Sequence, residues 1–344
     1  MRRLVPFLTA AVLLCASASG LPQARPEKPP QRILLAPRFV PGSKLRYQIE
    51  IRATTEGRQT GLVEDPQAPS QIELNWSAIV RVEVLSAAPP ETPPATGAAP
   101  GQPAAPATRL RASYEKSQAT TRSDTFDPEA DTIERELGKL KGRSIEYSLD
   151  AEGNVLDVQG LQEILADDRA AAAARDWLGR LAIGASLPRA GIAPGQKWSA
   201  EQPAVGTPIA GTVWRSEATY LRNEPCQATA AGGTVAPNDL LPYETCAVIL
   251  ARYEMLQPRA PRDPTPEEYR KQGLRTAGKW SGTGESLTYV ALRTSWVVSV
   301  TQSSTEEMDV TVSTADGDSR VRYAGRVRSQ SQISLLPEAP VVPH

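Results

Sequence analysis

The chain has 344 residues, with 38 Lys and Arg against 39 Asp and Glu, so its formal net charge is −1 at pH 7. Its one histidine is the terminal His344. A near-neutral balance argues against a nucleic-acid-binding protein, and the lack of an internal imidazole argues against Ser-His-Asp and Cys-His hydrolases and histidine-ligated metals. We therefore expect no catalytic residues, no metal site and no cofactor.

The N terminus has the pattern of a secretory signal peptide. Two arginines precede an apolar run from Leu4 to Leu14, and small residues follow it. The run is too short to span a bilayer, and the small residues fit a signal-peptidase site after Ala18 or after Gly20. We expect residues 1–20 to be removed and the mature chain to work in the periplasm or outside the cell.

The rest of the chain predicts no membrane anchor. Leu14 is too bulky for the position before a lipid-modified cysteine, so Cys15 does not favour a lipoprotein. No later stretch approaches the roughly 18 apolar residues of a transmembrane helix. Loss of Arg2 and Arg3 with the signal would bring the formal net charge to about −3.

Three stretches are too rich in proline and small residues to bury apolar surface. These are a flexible lead-in at 21–31, a Pro/Ala-rich tract at 86–108 and a tail at 337–344. Strand-like alternation flanks the central tract at Ile72–Val84 and more weakly at Leu110–Thr121. We therefore predict that 86–108 is a disordered, overgrown hairpin loop.

A mixed segment follows the second strand. An Asp-Pro start and apolar residues one turn apart predict a helix at about 128–141. Arg143–Leu149 and Val155–Val158 then read as a hairpin. A longer helix, with a poly-alanine centre, is predicted at about 160–183.

The chain then repeats its opening pattern. Phe39–Leu45 and Ile192–Trp198 share the order apolar-X-Pro-Gly-X-Lys-apolar, a turn that reverses the chain before a strand. Each copy precedes strands, a long loop and a proline-started helix, the second at about 265–272. We predict an α+β fold, mostly antiparallel β, with two similar curved-sheet halves at 32–186 and 187–336 and a few packed helices. The alternative is a coincidental Pro-Gly turn.

Two cysteines remain once the signal is removed. Cys226 and Cys246 form an even pair in an oxidising compartment, which predicts a disulfide. Closing this loop would stabilise the fold by about 3 kcal/mol in the chain-entropy model. A reactive thiol pair is less favoured because the Cys-X-X-Cys spacing is absent.

The clearest hairpin lies near the C terminus. A turn at Asp316-Gly317 would place Val312 opposite Val321, Val310 opposite Tyr323 and Glu307 opposite Arg326. The same register gathers four arginines on one strand face: Arg320, Arg322, Arg326 and Arg328. The favoured interpretation is a solvated outer face that Glu307 and Asp309 partly neutralise, and the alternative is an anion-facing strand.

Other motifs carry little weight. Ser113–Lys116 fits the Ser-X-X-Lys pattern of penicillin-recognising enzymes but lies in a strand pattern. Asp150–Asn154 reads as a hairpin turn rather than a calcium loop. Gly282–Gly284 reads as a bend at the start of a strand rather than a nucleotide loop. Four tryptophans are core residues or, less often, the lining of a pocket: Trp76, Trp198, Trp214 and Trp296.

Several short segments together resemble an uncharacterised family of exported bacterial proteins. They are Pro-Gly-Ser-Lys-Leu-Arg-Tyr at 41–47, Tyr147–Val155 leading into Val158-Gln-Gly-Leu161, and Pro-Gly-Gln-Lys-Trp at 194–198. The resemblance implies export, a β-rich architecture and the absence of a known enzyme signature. It implies no activity and no site residue.

We therefore expect an exported, non-catalytic binding or carrier protein of the cell envelope with an apolar ligand. The alternative is a structural or assembly component that binds another envelope protein through a sheet edge or the arginine-rich face. A second alternative is a hydrolase that works with two facing carboxylates alone.

Overall fold

A computed structural model describes residues 32–35, 38–61, 70–87, 108–124, 128–150, 155–166, 168–181, 187–188, 190–204, 207–229, 235–237, 244–257, 262–317 and 319–336. Their strands are β1 (Lys44–Thr60), β2 (Ser70–Ser86), β3 (Thr108–Ser123), β4 (Ser144–Leu149), β5 (Val155–Gln159), β6 (Lys197–Pro203), β7 (Val213–Pro225), β8 (Gln227–Thr229), β9 (Val235–Pro237), β10 (Thr245–Leu256), β11 (Leu274–Ala291), β12 (Val297–Thr314) and β13 (Arg320–Leu336). The helices are α1 (Pro128–Gly138), α2 (Leu161–Ile164), α3 (Asp168–Arg180) and α4 (Glu267–Lys271).

Several of the predictions from the sequence concern residues that the structure does not describe. The signal peptide, the lead-in at 21–31, the tail at 337–344, most of the 86–108 tract and the turn at 151–154 all lie outside the described residues.

The strands form one antiparallel sheet of eleven, in the order β5-β4-β3-β2-β1-β13-β12-β11-β10-β7-β6, and β8 pairs separately with β9. Most neighbouring strands are also consecutive in the chain. There are two exceptions: β7 lies beside β10, because the separate β8–β9 pair comes between them in sequence, and β1 lies beside β13 at the centre. There β13 pairs with β1 from Arg46–Leu336 to Thr60–Arg322. The mostly antiparallel β architecture is confirmed. The two predicted halves share one continuous sheet because this central pairing joins them.

The two faces of the sheet differ in cover. Along β1, Leu45, Tyr47 and Ile49 are buried, and the charged or amide residues between them are not. This period-two alternation is that of a sheet with one face in the core and one in solvent. We call the face that carries Tyr47 the covered face, and the face that carries Glu56 and Arg326 the open face.

The helices lie against the covered face. The Ser117 hydroxyl of β3 donates to the Leu137 carbonyl of α1 at 2.7 Å. Trp177 of α3 meets Tyr114 of β3 edge-on, with ring centroids 6.2 Å apart. Leu161 of α2 belongs to the same buried cluster. The first half of the sheet thus obtains its core by burying aromatic and aliphatic groups beneath three helices.

A second buried cluster covers the other half. Leu35 from the N-terminal segment and Ile192 from the inter-half segment pack with Tyr220 and Ile249. Ile33 and Ile192 also form an isolated antiparallel bridge. Before α4, the Thr265 hydroxyl accepts from the backbone N–H of Thr276 at 3.0 Å.

The two Pro-Gly turns are built alike. Gly42 and Gly195 both have a φ of +82°, a left-handed conformation that favours glycine. The amide of Gly42 donates to the Val84 carbonyl at 2.8 Å, and that of Gly195 donates to the Tyr220 carbonyl at 2.6 Å. Each turn therefore fixes the start of one strand against the next. Similarity of the two halves beyond these turns stays a prediction.

All three predicted hairpins have the expected pairing, and β4 pairs with β5 from Glu146–Gln159 to Leu149–Val155. β2 and β3 pair up to Ser86–Arg109, so the 86–108 tract does connect two neighbouring strands. β12 and β13 pair Val312 with Val321 and Glu307 with Arg326, which confirms the C-terminal register.

The long second helix was predicted wrongly. The structure has α2 and α3 in its place, because Leu165 adopts an extended conformation after α2. The next amide, that of Ala166, donates to the Glu136 carboxylate of α1 at 2.9 Å instead of continuing a helical ladder. The prediction of a strand-start bend at Gly282–Gly284 was also wrong, since both glycines lie within β11.

Glycine is required there for close packing. A Cβ on Gly282 would lie 2.7 Å from the ring of Trp214, and one on Gly284 would lie 2.8 Å from the Ser303 carbonyl. No helix among the described residues is long and apolar enough to cross a membrane.

Candidate functional site

The centre of the open face carries a continuous line of arginines. On β13 it contains Arg320, Arg322, Arg326 and Arg328, which occupy alternate positions on one face. Two positions on the same face of β13 are not arginine, namely Ala324 and Gln330. Those two residues pair with Arg58 and Arg52 of β1, which supply the missing guanidinium groups. We call the set the arginine row, in order Arg320, Arg322, Arg58, Arg326, Arg328 and Arg52.

All members of the row are exposed, and three are paired with acids. Arg322 donates two hydrogen bonds of 2.7 Å to Asp309 of β12. Arg326 donates to Glu307 at 3.0 Å, and Arg328 donates to Glu56 of β1 at 2.8 Å. These are the neutralising partners that the hairpin register predicts for a solvated face.

The other three arginines have no acidic partner. Among the described residues, no ion pair joins Arg52, Arg58 or Arg320 to an acid. Lys279 adds one more cation near the row, against five carboxylates: Glu50, Glu56, Glu73, Glu307 and Asp309. The centre of the open face is therefore basic, although the whole chain has a formal net charge of −1.

The guanidinium groups also set the protonation of this face. The hydrogen bonds from Arg322 are the main cause that lowers the pKa of Asp309. Partial burial works to raise the pKa of Glu115, but hydrogen bonds from Arg46 and Arg81 outweigh it and lower that pKa. These carboxylates therefore stay charged at neutral pH.

Glu115 reaches its two arginines because of a bulge. The β2–β3 register shifts between Ile79 and Val80, which leaves Glu115 unpaired in the ladder. Its two oxygens accept from Arg46 at 2.7 Å and from Arg81 at 2.7 Å. The Ser113–Lys116 motif thus contains the bulge of a strand, and the Ser113 hydroxyl lies 2.8 Å from that of Ser144.

Two shallow depressions lie along the row. One, of about 520 Å³, surrounds Ala324 and is bordered by as many cations as acids: Arg58, Lys279, Arg326, Glu56, Glu307 and Asp309. The other, of about 370 Å³, lies beside Arg52 and is lined by polar side chains such as Asn75 together with Ile51 and Trp76. The small side chain of Ala324 thus leaves room for a ligand in the first depression.

Among the described residues, the covered face has a small cavity at the end of the core beneath Trp296. Its volume is about 10 Å³, and its lining is mainly aromatic and aliphatic, with Tyr47 and Tyr147 among the residues. The hydroxyl of Ser295, which also lines it, is buried without a hydrogen-bond partner. This space is about enough for one water molecule.

The tryptophans do not assemble a pocket. Trp76 is buried in the first cluster and donates to the Ser117 hydroxyl at 3.0 Å. Trp198 packs against the second cluster, and Trp214 lies over Gly282. Trp296 lines the 10 Å³ cavity, and Trp76 is among the residues that line the 370 Å³ depression.

Cys226 and Cys246 lie at disulfide distance, with their sulfur atoms 2.09 Å apart. Both are buried in the first cluster, next to the β8–β9 pair. No group of three or more His, Cys, Asp and Glu residues in the described part of the chain is placed to hold a metal ion.

Sequence patterns found four of the six arginines in the row. Arg52 and Arg58 were missed because their place depends on the β13–β1 pairing, which joins positions more than 260 residues apart. The sequence did contain one indication of their place. Along β1, Arg52, Glu56 and Arg58 are at even positions, which places them on the same face of the strand.

No protein-family model matches the chain, and the search of curated proteins found no match. Among solved structures, the chain is similar to one described as "Lipid-protein interactions in lipovitellin", with 11% sequence identity and a TM-score of 0.43. The match covers 88% of this chain and 26% of the lipovitellin chain, so this chain spans about a quarter of that protein's length.

Proposed function

We propose that this chain is an exported, non-catalytic binding protein of the cell envelope, and that it holds an anionic partner on the open face of its sheet. The observation that carries the proposal is the arginine row, a basic line on a face that the helices leave uncovered. Exposed ion pairs are worth only about 0 to 1 kcal/mol, so an incoming anion can exchange with Asp309, Glu307 or Glu56 at small cost.

The state of the carboxylates supports a binding role over catalysis. A general acid needs a carboxyl whose pKa is raised toward neutrality. On the open face, arginines lower the pKa values of Asp309, Glu115 and Glu146 instead. None of these three carboxyls is therefore suited to be the proton donor of a hydrolase based on two facing carboxylates.

The structure gives less support to the function expected from the sequence, that of a carrier with an apolar ligand. The cavity beneath Trp296 holds about 10 Å³, whereas small-molecule pockets usually have about 300 Å³ or more. The depressions of suitable volume lie on the open face and have charged rims. We therefore favour an anionic partner.

The test uses the mature protein and an envelope fraction from its own cells. A photo-reactive residue replaces Gln330 on the open face or, as a matched control, the exposed Arg175 on α3. We expect retention by the fraction that about 0.5 M salt abolishes, and cross-linked adducts from position 330 but not from position 175. Salt-resistant retention, or equal adducts from both positions, would contradict the proposal.

A further inference from the structure

The arginine row has a length and a spacing as well as a charge. Successive members lie two residues apart along an antiparallel pair, which corresponds to roughly 6.8 Å per step and roughly 34 Å for the whole row. Where β13 lacks an arginine, β1 supplies one from the adjacent strand. The row is therefore nearly regular in its spacing along the strand direction.

From this geometry, and resting on the proposed function, we infer that the anionic partner is an extended acidic polysaccharide that lies along the β13–β1 pair. A guanidinium group binds carboxylate or sulfate through two parallel hydrogen bonds, so a line of arginines suits a chain with regularly repeated anions. Arg52, Arg58 and Arg320 receive its anions without displacing an acid of the protein.

The groups beside the row match a hydroxyl-rich chain. On the open face of β12, Thr305 and Thr311 lie on either side of the two paired acids. On the same face, β1 adds Thr54 and Thr60. These groups donate and accept hydrogen bonds, as sugar hydroxyls do. The surroundings of the row can thus satisfy the neutral parts of a polysaccharide.

Other polyanions fit this surface less well. Single-stranded nucleic acids rely on aromatic side chains that stack on bases, and stable protein interfaces centre on buried aromatic or aliphatic anchors. The open-face positions of β13, β12 and β1 that flank the row hold no aromatic residue in the described structure. The row offers charge and hydrogen bonds without a stacking or anchoring group.

The test measures binding of fluorescently labelled oligogalacturonides by anisotropy, with their methyl esters as the uncharged control. We expect affinity to rise with chain length until the oligomer spans the row and then to level off, and we expect the esters not to bind. Arg52→Gln/Arg58→Gln/Arg320→Gln should weaken binding by about tenfold or more. Because no ion pair in the described part of the chain involves these three arginines, this variant should fold normally, which circular dichroism verifies.

The matched control removes three charges from the same face outside the row. Arg109→Gln/Arg215→Gln/Arg252→Gln should change affinity by less than about threefold, because exposed charges beyond the Debye length contribute little. Equal losses of affinity in both variants would show that the row is not the binding site. A wild-type affinity that does not depend on the length of the oligogalacturonide would show the same.

Competition separates the partner classes. If single-stranded oligo(dT) or poly-glutamate displaces the oligogalacturonide at equal charge concentration, the polysaccharide assignment is wrong. If the row variant loses salt-sensitive envelope retention but the wild type binds no oligogalacturonide, the inference fails and the proposed function stands. If envelope retention itself is insensitive to salt and to the row variant, the proposed function fails.

Discussion

The covered and open faces of the sheet are made by alternate residues of the same strands, yet they have different tasks. On β1, Tyr47 and Ile49 are buried beneath helices and neighbouring strands, whereas Arg52 and Arg58 lie in solvent. The buried residues stabilise the fold through apolar area, while the exposed arginines contribute little to stability. Because stability depends little on the open-face side chains, their identity can be set by binding without loss of the fold.

Trp177 on the covered side should show the largest effect on stability. Its ring is 1% exposed, packs edge-on against Tyr114 and donates to that hydroxyl at 3.2 Å. We expect Trp177→Ala to lower the free energy of unfolding by about 3–5 kcal/mol in denaturant titrations. Arg58→Ala on the open face is the control, with an expected change within about 0.5 kcal/mol. Similar losses in both variants would erase the distinction between the faces.

The cysteine pair should give the next largest effect. Cys226 and Cys246 are separated by 20 residues and are buried, so Cys226→Ser/Cys246→Ser should lose about 2–4 kcal/mol of stability. Thermal unfolding of the wild type with and without reductant gives an independent measure. Binding at the arginine row should persist in the reduced folded protein. If reduction leaves the unfolding temperature unchanged, the cysteines do not form a stabilising bond.

Acid should produce the smallest change, and it should come from the open face. The folded-state pKa of Glu115 lies below its usual value of 4.5, so its stabilising contribution is complete above that pH and is lost as pH falls through the lowered pKa. Acid lowers the free energy of unfolding of the wild type. We expect this loss to be smaller in Glu115→Gln, by at most about 1 kcal/mol between about pH 6 and about pH 3, as measured in denaturant titrations. A variant as acid-sensitive as the wild type would show that other carboxylates cause the drop.

Local chemistry explains what the sequence predicted well. The alternation of Ile72–Val84, the Pro-Gly turns and the Glu307–Arg326 pair all act over a few residues, and the structure has each of them. The break between α2 and α3 was missed because it depends on Glu136, a residue of another helix. The close contact of Gly282 with Trp214 joins two strands that are not neighbours in sequence. The missing information was in each case a tertiary contact.

The arginine row shows the same limit at the candidate site. The β13 part follows from one hairpin, but the completion of the row by Arg52 and Arg58 needs the pairing of the sheet's first and last strands. A single sequence carries no local signal for that pairing. The regular spacing of the site therefore emerged only from the three-dimensional structure.

That pairing also determines when the binding surface comes into existence. A ribosome makes β1 early and β13 last, and contacts between such distant segments form late because chain closure must precede them. A chain interrupted before β13 would display two isolated arginines of β1 and an unpaired strand edge in the middle of its sheet. The row is complete only in a molecule in which β13 has been made and has paired with β1.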